Sequence, residues 1–130
     1  IRYEPAISRL CESLRDRQWW VRANAAEALR QMGGAGIEAL QRMLDDIDGF
    51  AREQAVLKLE EAGVLDDAVA HVASDEPERR EAAVALVRRV TQVGQFSRLQ
   101  DHAERHPDPR VRESLRALLP PGARPIMATP

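Results

Sequence analysis

The chain has a single cysteine, Cys11, among its 130 residues. No intrachain disulfide, cysteine zinc cluster or CxxC redox pair can form from it, and cysteine usage leaves the redox compartment open. Aromatic residues amount to only 4 %, and there is neither an Asn-Gly turn nor a sustained polar/apolar alternation, so nothing signals strands. Lysine is nearly absent: Lys58 stands alone and the remaining positive charge is arginine, which reflects codon composition more than a binding preference. An excess of one charge is missing too. With Lys+Arg at 19 and Asp+Glu at 21, the formal net charge of −2 exerts no global pull on nucleic acid or anionic lipid. The longest apolar run, Ala82 to Val87, falls far short of the roughly 20 residues a membrane-spanning helix needs. The chain starts at Ile1 without methionine or a signal-peptide pattern and reads as a piece of a longer or processed protein. A cytoplasmic address is favoured, with any membrane anchor lying upstream.

Motifs that carry chemistry are scarce as well. No phosphate loop, HExxH or Ser/His/Asp arrangement is present. His102 and His106 have i, i+4 spacing beside Asp101 and Glu104, yet His106 precedes Pro107 at a helix end, where an imidazolium favours the terminal carbonyls without any metal. The carboxylate pairs Asp45-Asp46, Glu60-Glu61 and Asp66-Asp67 sit at expected helix ends, where solvated charge is ordinary. The expectation is no enzyme, no cofactor and no metal.

What the chain does contain is a repeat. Asp16 to Arg22 leads into Ala25, Ala26 and Leu29; Asp46 to Arg52 leads into Ala55, Val56 and Leu59; Asp75 to Arg79 leads into Ala82, Ala83 and Leu86. In each, small or apolar residues follow the arginine at +3, +4 and +7, which aligns one face of a helix. A weaker fourth copy starts at Asp108 and runs through Arg112 to Leu115 and Leu119, with Arg116 breaking the pattern at +4. The arginines are spaced 30, 27 and 33 residues apart, enough for two helices and two turns. Second helices with their own stripes lie between: Ile7, Leu10 and Leu14; Ile37, Leu40 and Leu44; Leu65, Ala68, Val69 and Val72; Phe96, Leu99 and Ala103. Glycines 33, 34, 36, 63 and 94 punctuate, aspartates stand at capping positions, and Pro77 and Pro109 fit a first turn. The spacing predicts helices near 4–16, 18–32, 35–45, 48–62, 64–73, 76–92, 95–105 and 108–119. A hairpin with one apolar stripe cannot bury itself, so such units must stack on their neighbours. The fold class is all-α, an α-solenoid of about four stacked helical hairpins over residues 1–119, followed by a Pro-rich tail over 120–130 in which Ile126 and Met127 are apolar.

The stretch from Asp16 through Gly33, Asp-x-x-x-Trp-Val-Arg-x-x-Ala-Ala-x-x-Leu-x-x-Met-Gly, resembles the HEAT repeat, in particular the short bacterial variety grouped with phycobilisome-lyase-like repeats. The similarity extends over 4–119, strongest in 14–60 and weakest after 94. It implies a short right-handed superhelix and, most often, a protein-binding scaffold; lyase-like and DNA-repair-like enzymes or enzyme subunits are the alternative. It also implies that second helices line the concave side and that Arg22, Arg52 and Arg79 support packing through the preceding acidic turn.

The partner class expected is another protein. The outward positions of the second helices are Arg9 and Glu12; Glu38, Gln41 and Arg42; Asp67 and His71; Arg98 and Asp101. Their alternating signs cannot release many counterions from a polyanion but suit a polar protein surface. Trp19 joins them as the candidate exposed aromatic. Adjacent helical positions point about 100° apart, so Trp19 and Trp20 cannot share one burial site, and Trp20 falls at the repeat position of Phe50 and Pro77, where it is expected to pack against the preceding turn.

Overall fold

A computed structural model of the chain describes residues 4–120, and within them every regular element is a helix. In chain order these are α1 (Glu4–Ser13), α2 (Trp19–Gln31), α3 (Gly34–Met43), α4 (Gly49–Glu61), α5 (Val64–His71), α6 (Pro77–Val93), α7 (Ser97–Arg105) and α8 (Pro109–Leu118). Every boundary falls within three residues of its expected place. The Pro-rich tail, with Ile126 and Met127, lies outside the described residues.

The ends of the helices follow from local chemistry. The first helix of each hairpin, α2, α4 and α6, stops at Gly33, Gly63 and Gly94, whose φ values of 72°, 79° and 93° are cheap only without a Cβ. The turn from each second helix into the next first helix is built four times from one pattern. The side chains of Asp16, Asp46, Ser74 and His106 accept the N–H two residues on, at 2.8, 3.0, 3.1 and 3.1 Å. Six residues after each, an arginine donates from Nη1 to the carbonyl of that same residue: Arg22 to Asp16 at 2.8 Å, Arg52 to Asp46 at 2.6 Å, Arg80 to Ser74 at 2.8 Å and Arg112 to His106 at 2.5 Å. Each arginine thus clamps the turn that starts its own helix and satisfies a carbonyl left over by the preceding one.

This geometry corrects the third copy. The clamp there is Arg80, not Arg79, and the spacings become 30, 28 and 32. Arg79 is exposed and pairs with Glu76, the residue that precedes α6, at 3.4 Å. The one-residue shift carries through the helix: Ala83 and Val87 are buried, whereas Ala82 is exposed and Leu86 half-buried. The physical reason is that the Ser74 hydroxyl occupies the acceptor position that Asp16 and Asp46 hold elsewhere, so Asp75 is not the start of the turn.

The chain divides into two compact units, residues 1–64 and 65–130. In unit 1, α1 packs on α2 and α3 on α4, the first helices α2 and α4 lie side by side, and so do the second helices α1 and α3. Its core is Ile7, Leu14, Ala25, Ala26, Leu29, Ala39, Leu40, Met43, Leu44, Ala51, Ala55, Val56 and Leu59. Small residues at Ala25, Ala26, Ala51 and Ala55 let the helix axes come close. Unit 2 is built on Leu65, Val69, Val72, Val87, Val90, Leu99 and Leu115, with Ala68, Ala83, Ala103 and Val111 around them. Among the described residues no polar or charged residue is buried, so the folded units are held by aliphatic burial and their charges stand outside.

Candidate functional site

In unit 1 the second helices present Arg9 and Glu12 from α1 and Glu38, Gln41 and Arg42 from α3. Arg9, Glu12, Glu38 and Arg42 are exposed and Gln41 is half-buried. Because α1 and α3 are neighbours, these residues belong to one surface of mixed sign. Arg9, Glu12, Glu38 and Arg42 take part in none of the ion pairs of the described residues. Arg15 at the end of α1 does: it forks onto Asp46 with Nε at 3.0 Å and Nη2 at 2.7 Å. The Arg15 guanidinium holds the Asp46 carboxyl below the usual carboxylate range, and the Asp48 N–H adds to this. Cys11 lies half-buried on α1, and burial pushes its thiol up, opposed by Arg42 and Arg15; it stays a protonated thiol at neutral pH.

In unit 2 the corresponding residues are Asp67 and His71 on α5 and Arg98 and Asp101 on α7. Here two of the charges, Arg98 and Asp101, are already engaged in ion pairs. Arg98 forks onto Asp66 with Nε at 2.8 Å and Nη2 at 2.6 Å, and His102 Nε2 lies 2.9 Å from the same carboxylate. Asp101 takes Arg105 at 3.0 Å, and His71 Nδ1 is 2.8 Å from the Asp67 carbonyl. Asp66 thus ties α5 to α7 through Arg98 and His102. No local sequence pattern pairs Asp66 with His102, which stand 36 residues apart.

Hydrogen bonds from Arg98, then from His102, hold the Asp66 carboxyl down to about 2, from an ordinary 3.8. The sign follows from linkage: the stability this adds is complete above pH 3.8 and is lost as pH falls from there to about 2. Asp66→Asn is expected to lower the unfolding midpoint slightly near neutral pH, by less than about 1 kcal/mol for so exposed a group. The difference from the wild type should shrink through that window and with added salt. Thermal melts followed by circular dichroism at several pH values check it.

Trp19 and Trp20 open α2 and are both exposed, at 67 % and 48 %, with ring centroids 6.1 Å apart in a perpendicular arrangement. Trp20 therefore packs less fully than expected. One repeat later Phe50 is half-exposed beneath the Arg22 guanidinium, whose carbon lies 4.0 Å from the ring centroid. Further along the first helices, Glu27 takes Arg30 and Lys58, with Lys58 Nζ at 3.2 Å, and Lys58 also reaches Glu61 at 3.1 Å. The Arg30 contact, then Lys58, hold the Glu27 carboxyl down to about 2. The carboxylate shifts at Asp46, Asp66 and Glu27 all run downward, opposite to what a general acid needs at neutral pH. Among the described residues no cluster of three or more His, Cys, Asp or Glu side chains has metal-binding geometry, and no helix is long and apolar enough to cross a membrane.

Neither a curated protein nor a solved structure matches the chain. Residues 1–60 match the family model for HEAT repeats. That segment holds the first two clamped turns, at Arg22 and Arg52, each followed at +3 and +4 by buried small or aliphatic residues, Ala25 and Ala26, then Ala55 and Val56. With the all-helical architecture, the match identifies residues 1–60 as HEAT repeats and supports a HEAT-repeat family for the chain.

Proposed function

We propose that the chain is a protein-docking module that receives its partner on the second-helix surface, with α1 and α3 of unit 1 supplying the main contact. HEAT repeats generally mediate protein-protein interaction or scaffolding and are usually non-enzymatic. The observation that carries the finer reading is the contrast between the units. Arg9, Glu12, Glu38 and Arg42 are exposed and outside every ion pair of the described residues, whereas Arg98 and Asp101 are tied to Asp66 and Arg105. Charges already paired must give up a partner before they take another; unpaired charges of both signs can fix the register of an incoming polar surface at once. Asp67, His71, Arg98 and Asp101 are the corresponding second-helix residues of unit 2, and Trp19 is an exposed aromatic of unit 1.

The double charge reversal Arg9→Glu with Arg42→Glu tests this. Quantitative pull-down from source lysate is expected to show at least one protein held by the wild type and weakened about tenfold, about 1.4 kcal/mol, in the variant. The melting curves of the two should coincide, because both arginines are exposed. Retention of every captured protein at wild-type strength would sink the assignment of the surface.

A further inference from the structure

Within unit 2 a cleft of about 430 Å³ opens between the turn after α5, the start of α6 and the outer side of α8. Its walls carry Ser74, Asp75 and Arg80 on one side and Arg110, Glu113, Ser114 and Ala117 on the other. Counting from the clamp arginines explains why it is there. Arg110, Glu113, Ser114 and Ala117 stand at −2, +1, +2 and +5 from Arg112; the residues at those places relative to Arg52 are Phe50, Glu53, Gln54 and Leu57. Unit 1 thus has an aromatic ring under Arg22 and two long side chains beside it, while unit 2 has a serine and an alanine. Its third side chain, Arg110, reaches across the mouth of the cleft to Asp75 at 3.5 Å and lies 3.9 Å from Asp108 on its own side. The Arg80 guanidinium, pinned by its bond to the Ser74 carbonyl, therefore lacks the aromatic ring that Arg22 carries at 4.0 Å.

We propose that this cleft binds an aromatic side chain of a partner polypeptide, stacked on Arg80 as Phe50 is on Arg22, with an adjacent basic residue paired to Glu113. The repeat itself supplies the template for the ring: a planar aromatic over a guanidinium held flat by the turn is the arrangement found one unit earlier. Charge complementarity supplies the neighbour. Glu113 is exposed and without a partner among the described residues, whereas Asp75 on the facing side pairs with Arg110. A volume of this size lies within the range of small-ligand sites. The inference rests on the reading that the chain binds polypeptide, but it concerns first helices in unit 2 and not the second-helix surface of unit 1.

The probe is N-acetyl-Trp-Arg-amide, titrated to about 10 mM into the labelled full chain and followed by amide chemical shifts, since so small a ligand binds in the millimolar range. Shifts are expected to concentrate at Ser74, Asp75, Arg80, Ser114 and Ala117. N-acetyl-Trp-Glu-amide and N-acetyl-Ala-Arg-amide should bind at least fivefold more weakly. Ser114→Gln with Ala117→Leu, which transplants the unit 1 side chains, should abolish these shifts while keeping or raising the unfolding midpoint. Should that variant misfold, exposed Glu113→Arg removes the preference for the arginine peptide without touching the core. Arg9→Glu with Arg42→Glu should leave the probe's binding intact, so failure here and failure of the second-helix surface are read separately. The proposal is overturned by no binding to the wild type, by equal binding of the alanine peptide, by undiminished binding to the filled-cleft variant, or by shifts confined to Trp19, Trp20 and Phe50.

Discussion

Gly36→Ala lowers the unfolding midpoint by about 10 °C, a loss of about 3 kcal/mol centred on unit 1. A Cβ built on Gly36 would stand 1.7 Å from the Leu29 carbonyl oxygen and 2.7 Å from its carbon, with Met32 Cβ at 3.0 Å. The first two are backbone atoms of α2, so no rotamer change relieves the overlap; α3 must move away from α2. Leu29 and Leu40 are fully buried in the same core, and moving one helix by an ångström or more uncovers both. The neighbouring Gly34 is the control. It lies in the first turn of α3 with nothing within 4 Å of its Cβ position and no positive φ. Gly34→Ala should be neutral or stabilise by up to about 1 kcal/mol, because alanine restricts the unfolded chain and favours the helix. Thermal melts and amide exchange of the α2 and α3 amides measure both. Equal midpoints for the two variants would mean that α2 and α3 do not approach through Gly36.

Much of this architecture is legible in the residues. Helix ends could be placed within three residues because glycine, capping aspartate and N-terminal proline each act locally, and the buried stripes of α2 and α4 follow from +3, +4 and +7 spacing alone. Gly36 was legible only as punctuation, since the sequence does not show which carbonyl comes to lie above it. The ties from Asp66 to Arg98 and His102 join residues 32 and 36 apart, and only the folded chain brings those partners together from a surface rich in arginine. Outwardness of the second-helix residues could be read; whether they were already paired could not. The cleft in unit 2 was out of reach for a related reason. It consists of missing side-chain volume, and Ser114 and Ala117 register as undersized only when matched against Gln54 and Leu57 in the correct frame.

That frame hangs on Arg80, and a pair of substitutions measures it. Arg80→Ala should destabilise the chain by about 1.5 kcal/mol, whereas Arg79→Ala should stay within about 0.5 kcal/mol of the wild type. The two arginines are adjacent and equally charged, so net charge, helix propensity and composition change identically, and only the environment differs. Arg80 is half-buried and donates to the Ser74 carbonyl at 2.8 Å; its removal leaves that carbonyl at the end of α5 without its charged donor and takes alkyl packing from the turn. Arg79 is exposed and loses a 3.4 Å contact to Glu76 at the N-cap of its helix, which water replaces at little cost. Ser74→Asp gives a complementary test, since it installs the acceptor that the turns at Asp16 and Asp46 use and should be tolerated or slightly stabilising. If Arg79→Ala were instead the damaging change, the third turn would be built around Asp75. The equivalence of Arg110, Ser114 and Ala117 with Phe50, Gln54 and Leu57 would still hold from Arg112, but Arg80 would lose its claim to be the counterpart of Arg22, and the vacant seat for an aromatic ring would go with it.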